Sequence, residues 1–271
     1  MMRRLAVLGS PIAHSKSPLI HAAAYAEMGL EWQYERIECT ESELAPLLTG
    51  LSNDWLGFSC TMPLKTRARE LADVLDPVAQ ASGVVNTLAR HEAGWIGANT
   101  DVGGLRMALE SHGLDLTRTL VLGAGATAVS AVLAARAGGA AEVQVMARRP
   151  EAAEALGRAY AAVPGTLGHE PVWLPTAVVS TLPGPAGADL VLPETVTQAP
   201  LFDVAYDPWP SPLSKVWDDR GSDRYPGIDM LIFQAVLQIR LFVSGSTGAK
   251  LEGEERVIAT MREAVASSVE E

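Results

Sequence analysis

The stretch TLVLGAGATA, residues 119–128, decides the fold of this chain. It opens with Leu120–Leu122, an apolar run too brief for a helix, and continues into a glycine-rich turn before the alanine-rich run Ala126–Ala137, which predicts a helix. Gly123 allows a tight turn and Gly125 lets the backbone approach a pyrophosphate. The unpaired N–H groups and positive dipole end of the helix favour phosphate. The stretch therefore predicts a nucleotide-binding unit, although glycine turns also join strands to helices without a ligand.

The residues after the next strand indicate which nucleotide binds. Glu142–Ala147 is strand-like and ends at Arg148 and Arg149. An NAD-binding unit carries an acid at this place for the ribose hydroxyls, and none is present here. An arginine fork suits a 2′-phosphate, which predicts NADP(H). The alternative is a pair of solvated charges at a strand end.

Length, composition and charge exclude several classes of protein. The 271 residues suffice for one large or two modest domains, and 48% hydrophobic with 20% charged residues is typical of a globular protein. A net charge of −11 argues against a nucleic-acid partner. Cys39 and Cys60 have neither a disulfide framework nor metal-type spacing, so we expect no metal and a reducing cytoplasmic location. No apolar run is long enough to span a bilayer, and the first apolar patch predicts a strand rather than a signal peptide.

The first hundred residues alternate between strand-like and helix-like segments, which predicts an α/β fold. The predicted strands are Leu5–Leu8, Trp32–Ile37, Trp55–Cys60, an apolar run ending near Asn86 and Thr87, and Gly94–Ile96. The predicted helices are Ser17–Met28, Thr40–Leu48, Pro63–Ala72 and Leu105–His112.

Polar residues at the ends of these segments are candidates for a site. Ser17 before Pro18 is a good helix cap, whereas Ser15 has no capping role; two hydroxyls on one loop suit a small carboxylate. Lys65 falls in a first helical turn, where the dipole disfavours a cation, so it is either a surface lysine or one placed to meet an anion. Asp101 is either a helix cap or part of a ligand site beyond a strand end.

Six motifs then appear in order along the chain. They are SKSP (15–18), T-x-P-x-K (61–65), VVNTL (84–88), NTDVGG (99–104), GAGATA (123–128) and GIDMLIFQ (227–234). In this order and spacing the chain resembles the shikimate dehydrogenases over essentially its whole length.

The resemblance implies an α/β protein with two domains. Residues 1–104, completed by 235–271, would form the N-terminal α/β substrate-binding catalytic domain, and 105–234 a Rossmann-type NADP-binding domain. The C-terminal helices would pack back on the first domain. The implied activity is NADPH-dependent reduction of 3-dehydroshikimate to shikimate, in aromatic amino acid biosynthesis.

The resemblance also implies roles for individual residues. The catalytic pair would be Lys65 and Asp101. Substrate would be bound by Ser15, Ser17, Thr61, Asn86, Asp101, Tyr206 and Gln234. NADP(H) would be bound by Gly123, Ala124, Gly125, Ala126, Thr127, Arg148, Arg149, Thr181, Val204 and Gly227.

The chain departs from the family's pattern at several positions. Ser59 stands where the family commonly has Asn, which changes a hydrogen bond behind the substrate residues, and Ala126 stands where the glycine turn usually continues with another Gly. The family often has Asn-Arg-Thr after the second Rossmann strand, where this chain has Ala147, Arg148 and Arg149, so that the asparagine and threonine contacts to phosphate are lost and a second arginine replaces them. After the fourth Rossmann strand Ser180 and Thr181 replace a usual Asn-Ala-Thr.

Other functions remain open from the sequence. They are an NAD-using quinate/shikimate dehydrogenase, a two-domain NADP enzyme of the methylene-tetrahydrofolate dehydrogenase kind, and a non-catalytic ligand-binding regulator. Retention of both Lys65 and Asp101 argues against the regulator, since a sensor needs no proton donor. The expected partner is a small-molecule substrate, without nucleic acid or membrane. A homodimer is compatible with the sequence, although no exposed apolar stripe selects an interface.

Overall fold

The computed structural model describes residues 2–92 and 94–268, apart from the side chains of 185 and 186. The chain forms two compact units, and the α/β class is confirmed. One unit combines Met1–Gly104 with Leu231–Glu271, and the other is Leu105–Met230. The chain thus rejoins the first unit at 231, four positions before the predicted 235. No helix among the described residues has the length and apolar character needed to cross a membrane.

A mixed sheet forms the centre of the first unit. Its elements are β1 (Arg3–Gly9), α1 (Ser17–Glu27), β2 (Trp32–Glu38), α2 (Glu41–Thr49), β3 (Trp55–Cys60), α3 (Lys65–Leu71), β4 (Val74–Leu75), α4 (Pro77–Ser82), β5 (Thr87–His91), β6 (Gly94–Ala98) and α5 (Thr100–Ser111), whose last residues belong to the second unit. The strand order is β2-β1-β3-β5-β6-β4. β5 runs antiparallel to β3 and β6, and the other neighbours are parallel.

The second unit contains an all-parallel sheet. Its elements are β7 (Arg118–Leu122), α6 (Ala126–Ala137), β8 (Glu142–Ala147), α7 (Pro150–Tyr160), β9 (Val163–Thr166), β10 (Ala177–Ser180), α8 (Glu194–Thr197), β11 (Leu201–Asp203), α9 (Pro212–Asp218) and β12 (Arg224–Pro226). α10 (Ile228–Ser244) and α11 (Glu254–Ser267) follow, and most of their length belongs to the first unit. The order β9-β8-β7-β10-β11-β12 is that of a doubly wound dinucleotide-binding fold, with its switch point between β7 and β10.

Some element boundaries that the sequence predicts are wrong. The strand expected to end near Asn86 and Thr87 instead begins at Thr87, because α4 occupies the preceding segment and Gly83, with φ of 66°, turns the chain after it. α5 begins at Thr100 rather than at Leu105. Ser17 is the first residue of α1 rather than its cap, since the capping position falls on Lys16.

His21 lies at the centre of the buried part of α1. It has no solvent exposure and stacks on Tyr34, with 3.9 Å between ring centroids. Its ring nitrogens are 3.0 Å from the Tyr25 hydroxyl and 3.2 Å from Gln238 Oε1. Burial lowers the pKa of His21 from 6.5 to about 3, so the ring is neutral in the folded protein.

α5 and α10 approach each other closely at Gly104. A Cβ built on Gly104 would lie 2.7 Å from the backbone nitrogen of Gln234 and 2.9 Å from its Cα. The neighbouring Gly103 faces a softer contact, because its Cβ would lie 2.6 Å from Cδ1 of Leu237, at the end of a side chain. Glycine at 104 therefore fixes where Gln234 lies.

We expect His21 to make the fold sensitive to acid. Between pH 6.5 and about 3 the unfolded chain carries a proton on His21 that the folded chain does not. The free energy of unfolding therefore falls as the pH drops through this window, by about 2 kcal/mol between pH 7 and pH 5 for this one group. Urea unfolding of the wild type and of His21→Gln at both pH values measures the difference, and equal losses in the two proteins would contradict it.

We also expect Gly104→Ala to destabilise the first unit. Alanine normally gains about 0.5–1 kcal/mol over glycine inside a helix. Here the clash with the Gln234 backbone outweighs that gain, and we expect a net loss of about 1–3 kcal/mol. Gly103→Ala is the matched control, because the Leu237 side chain can rotate away. Urea unfolding measures both variants, and equal stability of the two would show that the backbone contact is unimportant.

Candidate active site

An ion pair between a half-buried lysine and a buried aspartate joins two elements of the first unit. Lys65 begins α3, directly after the turn that follows β3, and Asp101 lies in the first turn of α5. The Lys65 Nζ is 2.6 Å from Asp101 Oδ2, and the two side chains are 14% and 4% exposed. An ammonium and a carboxylate so close and so dry are placed to stabilise charge and to move a proton.

Asn86 holds the other carboxylate oxygen of Asp101. Its Nδ2 donates to Asp101 Oδ1 at 2.7 Å and to Gln234 Oε1 at 3.2 Å. Its Oδ1 accepts the backbone N–H of Thr100 at 2.8 Å. A backbone N–H can only donate, so this contact fixes which end of the amide faces Asp101. Four of the predicted site residues are thus brought together by direct hydrogen bonds.

Asp101 does not cap α5. Asn99 precedes the helix, and its Oδ1 accepts the backbone N–H of Asp101 at 3.0 Å. This is the bond expected of a capping side chain. The Asp101 carboxylate is therefore free to face Lys65, and the capping alternative for Asp101 is wrong.

Thr61 lies at the turn between β3 and α3. Its backbone N–H donates to the Leu8 carbonyl at 2.9 Å, and its side chain is half-buried. A Cβ on Gly9 would overlap Thr61 Cγ2, so only glycine lets the two segments approach this closely.

The loop that carries Ser15 and Ser17 is held by β2. The Ser15 carbonyl accepts two bonds from the Arg36 guanidinium, at 2.8 and 2.6 Å. The Ser17 N–H donates to Ser15 Oγ at 3.3 Å. Glu38 accepts from the Ser10 hydroxyl, at 2.6 Å, and from a backbone N–H of the same loop. No local pattern points to Arg36 or Glu38, because their partners lie on a different part of the chain.

In the second unit, the glycine turn lies at the switch point of the sheet. Gly123 has φ of 117°, which favours glycine, and a Cβ there would overlap Thr181 Oγ1. Thr181 follows β10 and donates its hydroxyl to the Leu122 carbonyl at 3.0 Å. Gly125 caps α6, and a Cβ there would meet open space. The N–H groups of Ala126 and Thr127, which follow in the first turn, lie at the start of the helix.

Arg148 and Arg149 directly follow β8 and are exposed. Within 2–92 and 94–268, no hydrogen bond or ion pair joins either guanidinium to the protein. Both remain available to an anion at the carboxyl end of the sheet.

The ends of β10, β11 and β12 meet through backbone contacts. The Val204 N–H donates to the Ser180 carbonyl at 3.0 Å, and the Gly227 N–H donates to the Ala205 carbonyl at 3.1 Å. A Cβ on Gly227 would overlap the Val204 carbonyl group, so no other residue fits. Tyr206 lies in the loop after β11 and belongs to this second unit, unlike the other predicted substrate residues.

In the part of the chain that the structure describes, no group of His, Cys, Asp or Glu side chains is arranged to hold a metal ion.

Comparison with known proteins connects this geometry to a family. The family model for the shikimate dehydrogenase substrate binding domain matches residues 7–88. An NADP(+) shikimate dehydrogenase of Thermus thermophilus is 35% identical over 247 residues, covering 89% of this chain and 92% of the relative. The crystal structure of Mycobacterium tuberculosis shikimate dehydrogenase has a TM-score of 0.84 and 35% identity, covering 98% of this chain and 99% of that one.

A second solved structure is that of a Thermus thermophilus shikimate 5-dehydrogenase in complex with NADP(H) and shikimate. It has a TM-score of 0.83 and 31% identity, and the match covers 97% of this chain and 100% of that one. Similarity of sequence and fold over nearly the full length, together with the paired Lys65 and Asp101, shows that the chain belongs to the NADP-dependent shikimate dehydrogenase family.

Proposed function

We propose that this protein reduces 3-dehydroshikimate to shikimate with NADPH, a step of aromatic amino acid biosynthesis. The observation that carries the proposal is the buried pair of Lys65 and Asp101, 2.6 Å apart, in a chain of this family. A Thermus thermophilus relative was solved with both NADP(H) and shikimate.

The reaction turns a ketone into an alcohol, which needs a hydride at carbon and a proton at oxygen. When bound, NADPH supplies the hydride. Lys65 and Asp101 act as one unit that stabilises the negative charge developing on the substrate oxygen and delivers the proton to it. Asn86 orients the pair through Asp101 Oδ1. Because both side chains are nearly dry, their effect on the developing charge is stronger than it would be in water.

We assign substrate binding to the first unit. Ser15 and Ser17 bind the carboxylate with their hydroxyls, on a loop whose position Arg36 fixes. The ring hydroxyls and the reacting oxygen are contacted by Thr61, Asn86, Asp101 and Gln234. For Tyr206, in the loop after β11 of the second unit, the resemblance alone supports a role in substrate binding.

We assign NADP(H) binding to the second unit, and its residues fit the cofactor. The pyrophosphate would be held by the turn Gly123, Ala124 and Gly125 and by the first N–H groups of α6, those of Ala126 and Thr127, since the open space at Gly125 permits close approach. Thr181, Val204 and Gly227 line the nicotinamide end. Arg148 would bind the 2′-phosphate, since it stands where the family's arginine stands, and Arg149 would cover the adenine.

The assay that tests the proposal follows loss of NADPH absorbance with 3-dehydroshikimate, and compares NADPH with NADH. Turnover with a clear preference for NADPH supports it. Equal or better use of NADH with activity on quinate would favour the quinate/shikimate alternative. Absence of turnover, with shikimate still bound, would favour the non-catalytic regulator.

We further propose a reducing compartment, such as the cytoplasm, because Cys39 and Cys60 are both buried free thiols. We also propose that the protein forms a homodimer. Light scattering on the purified protein measures its mass in solution and tests this.

Lys65→Met is expected to lower kcat by about a hundredfold or more, the usual scale for loss of a general acid or charge-stabilising group. Shikimate binding is expected to change little. Arg69→Met removes the same charge from an exposed position one turn further along α3, and it controls for the net charge. Steady-state kinetics of both variants measure the effect, and wild-type kcat in Lys65→Met would remove Lys65 from the mechanism.

Replacing Arg148 and Arg149 by Ala is expected to raise KM for NADPH by at least about tenfold, because a charge-assisted bond to phosphate contributes about 1.5–3 kcal/mol. KM for NADH should change little. Arg158→Ala is the control, since Arg158 is an exposed cation of the same unit and pairs with Glu154 on α7. If KM for both cofactors rises equally, the two arginines do not read the 2′-phosphate.

A further inference from the structure

A layer of buried polar side chains lies behind the proposed substrate residues. It consists of His21, Ser59, Thr87 and Gln238, each less than 7% exposed. His21 and Gln238 each lie one helical turn from a proposed substrate residue, Ser17 and Gln234 respectively. Ser59 lies two positions before Thr61, and Thr87 directly follows Asn86. The layer therefore joins the elements that carry those residues, α1, β3, β5 and α10.

Gln238 is the centre of this layer. Its Oε1 accepts the Ser59 hydroxyl at 2.8 Å and faces His21 Nε2 at 3.2 Å. Ser59 Oγ in turn accepts the Tyr34 hydroxyl at 2.5 Å, so the proton of Ser59 is directed to Gln238. These contacts fix Oε1 as the acceptor end of the amide and leave Nε2 to donate elsewhere.

Thr87 carries the orientation from Gln238 to Asn86. Gln238 Nε2 donates to Thr87 Oγ1 at 3.2 Å. The Thr87 hydroxyl donates its own proton to Asn86 Oδ1 at 2.9 Å, and its oxygen also lies 3.3 Å from Thr100 Oγ1. Asn86 Oδ1 therefore accepts from Thr87 as well as from the Thr100 N–H, and its Nδ2 faces Asp101, Thr100 Oγ1 and Gln234. The donors and acceptors of the chain from Tyr34 to Asp101 all agree in direction.

The network also includes Ser59, one of the positions at which the chain departs from the family's pattern. A serine is shorter than the asparagine that the family commonly carries at this position. Gln238, 179 positions further along the chain on α10, accepts the Ser59 hydroxyl.

We infer that Gln238 and Thr87 are positioning residues for catalysis, which act with the Thr100 N–H to hold the Asn86 amide in the place and orientation that align Asp101 and Lys65. The inference rests on the proposed function. Neither residue contacts Lys65 or Asp101 directly among the hydrogen bonds of the described residues, so each acts through Asn86.

The test compares Thr87→Val with Thr87→Ser. Valine keeps the shape and loses the hydroxyl, whereas serine keeps the hydroxyl. We expect Thr87→Val to lower kcat/KM for shikimate about tenfold, and Thr87→Ser to stay within about twofold of the wild type. KM for NADPH should stay unchanged in both, because the proposed cofactor residues belong to the second unit. Urea unfolding of both variants separates the effect from a loss of folded protein.

A second variant keeps the inference testable if Thr87→Val folds poorly. Gln238→Met should lower kcat/KM for shikimate as well, and the double variant should lose little more than the worse single variant, because both residues act along one chain of bonds. Wild-type kinetics in Thr87→Val would overturn the inference, and so would a double variant whose loss of kcat/KM is the product of the two single losses. In either case, turnover by the wild type would still uphold the proposed function. A wild type without turnover would overturn both.

Discussion

The site depends on a carboxylate and an ammonium that lie within hydrogen-bond distance in a nearly dry part of the first unit. Burying either charge alone would cost several kcal/mol, so Lys65 and Asp101 are tolerated there only as a pair. The dipoles of their two helices have opposite effects on the two charges. The N-terminus of α5 favours the charge of Asp101, whereas the N-terminus of α3 disfavours that of Lys65. A pair selected for stability alone would place the cation at a helix C-terminus, which points to chemistry as the reason for its position.

The sequence predicts the fold correctly where the residues of one segment determine the conformation of that segment. α6 and β8 have the bounds that the sequence predicts, because a glycine turn and an alanine-rich run fix the first, and a short segment with valine at alternate positions, 143 and 145, fixes the second. Gly123 likewise adopts the positive φ for which its position selects glycine. The strand order of both sheets was not predicted, because pairing joins segments far apart along the chain.

The misassigned segments share a cause. Val84 and Val85 form an apolar run that looks like a strand, yet they lie in the turn between α4 and β5, and their burial comes from packing rather than from the sheet. Asp101 looks like a cap because it is acidic and precedes a helical pattern. Asn99, two positions earlier, takes that role. In both cases a residue type suited to one local structure is used in another because tertiary contacts decide between them.

The same distinction applies to the site. Individual residues such as Lys65 and Asn86 were identifiable from motifs, but the connections that orient them were not, since Gln238 meets Ser59 and Thr87 only after the chain folds.

The negative net charge of the chain makes fixed hydrogen-bond donors necessary for ligand binding. A chain of net charge −11 repels both an anionic cofactor and a substrate carboxylate at long range. Screening limits that repulsion to about 10 Å, so binding must come from short-range donors in fixed positions: hydroxyls on the loop of Ser15 and Ser17, N–H groups at the start of α6, and guanidinium groups after β8. Neutral and cationic donors contribute at these distances only when they are held in place, so the rigidity of the polar layer matters as much as the identity of the residues that touch the ligand.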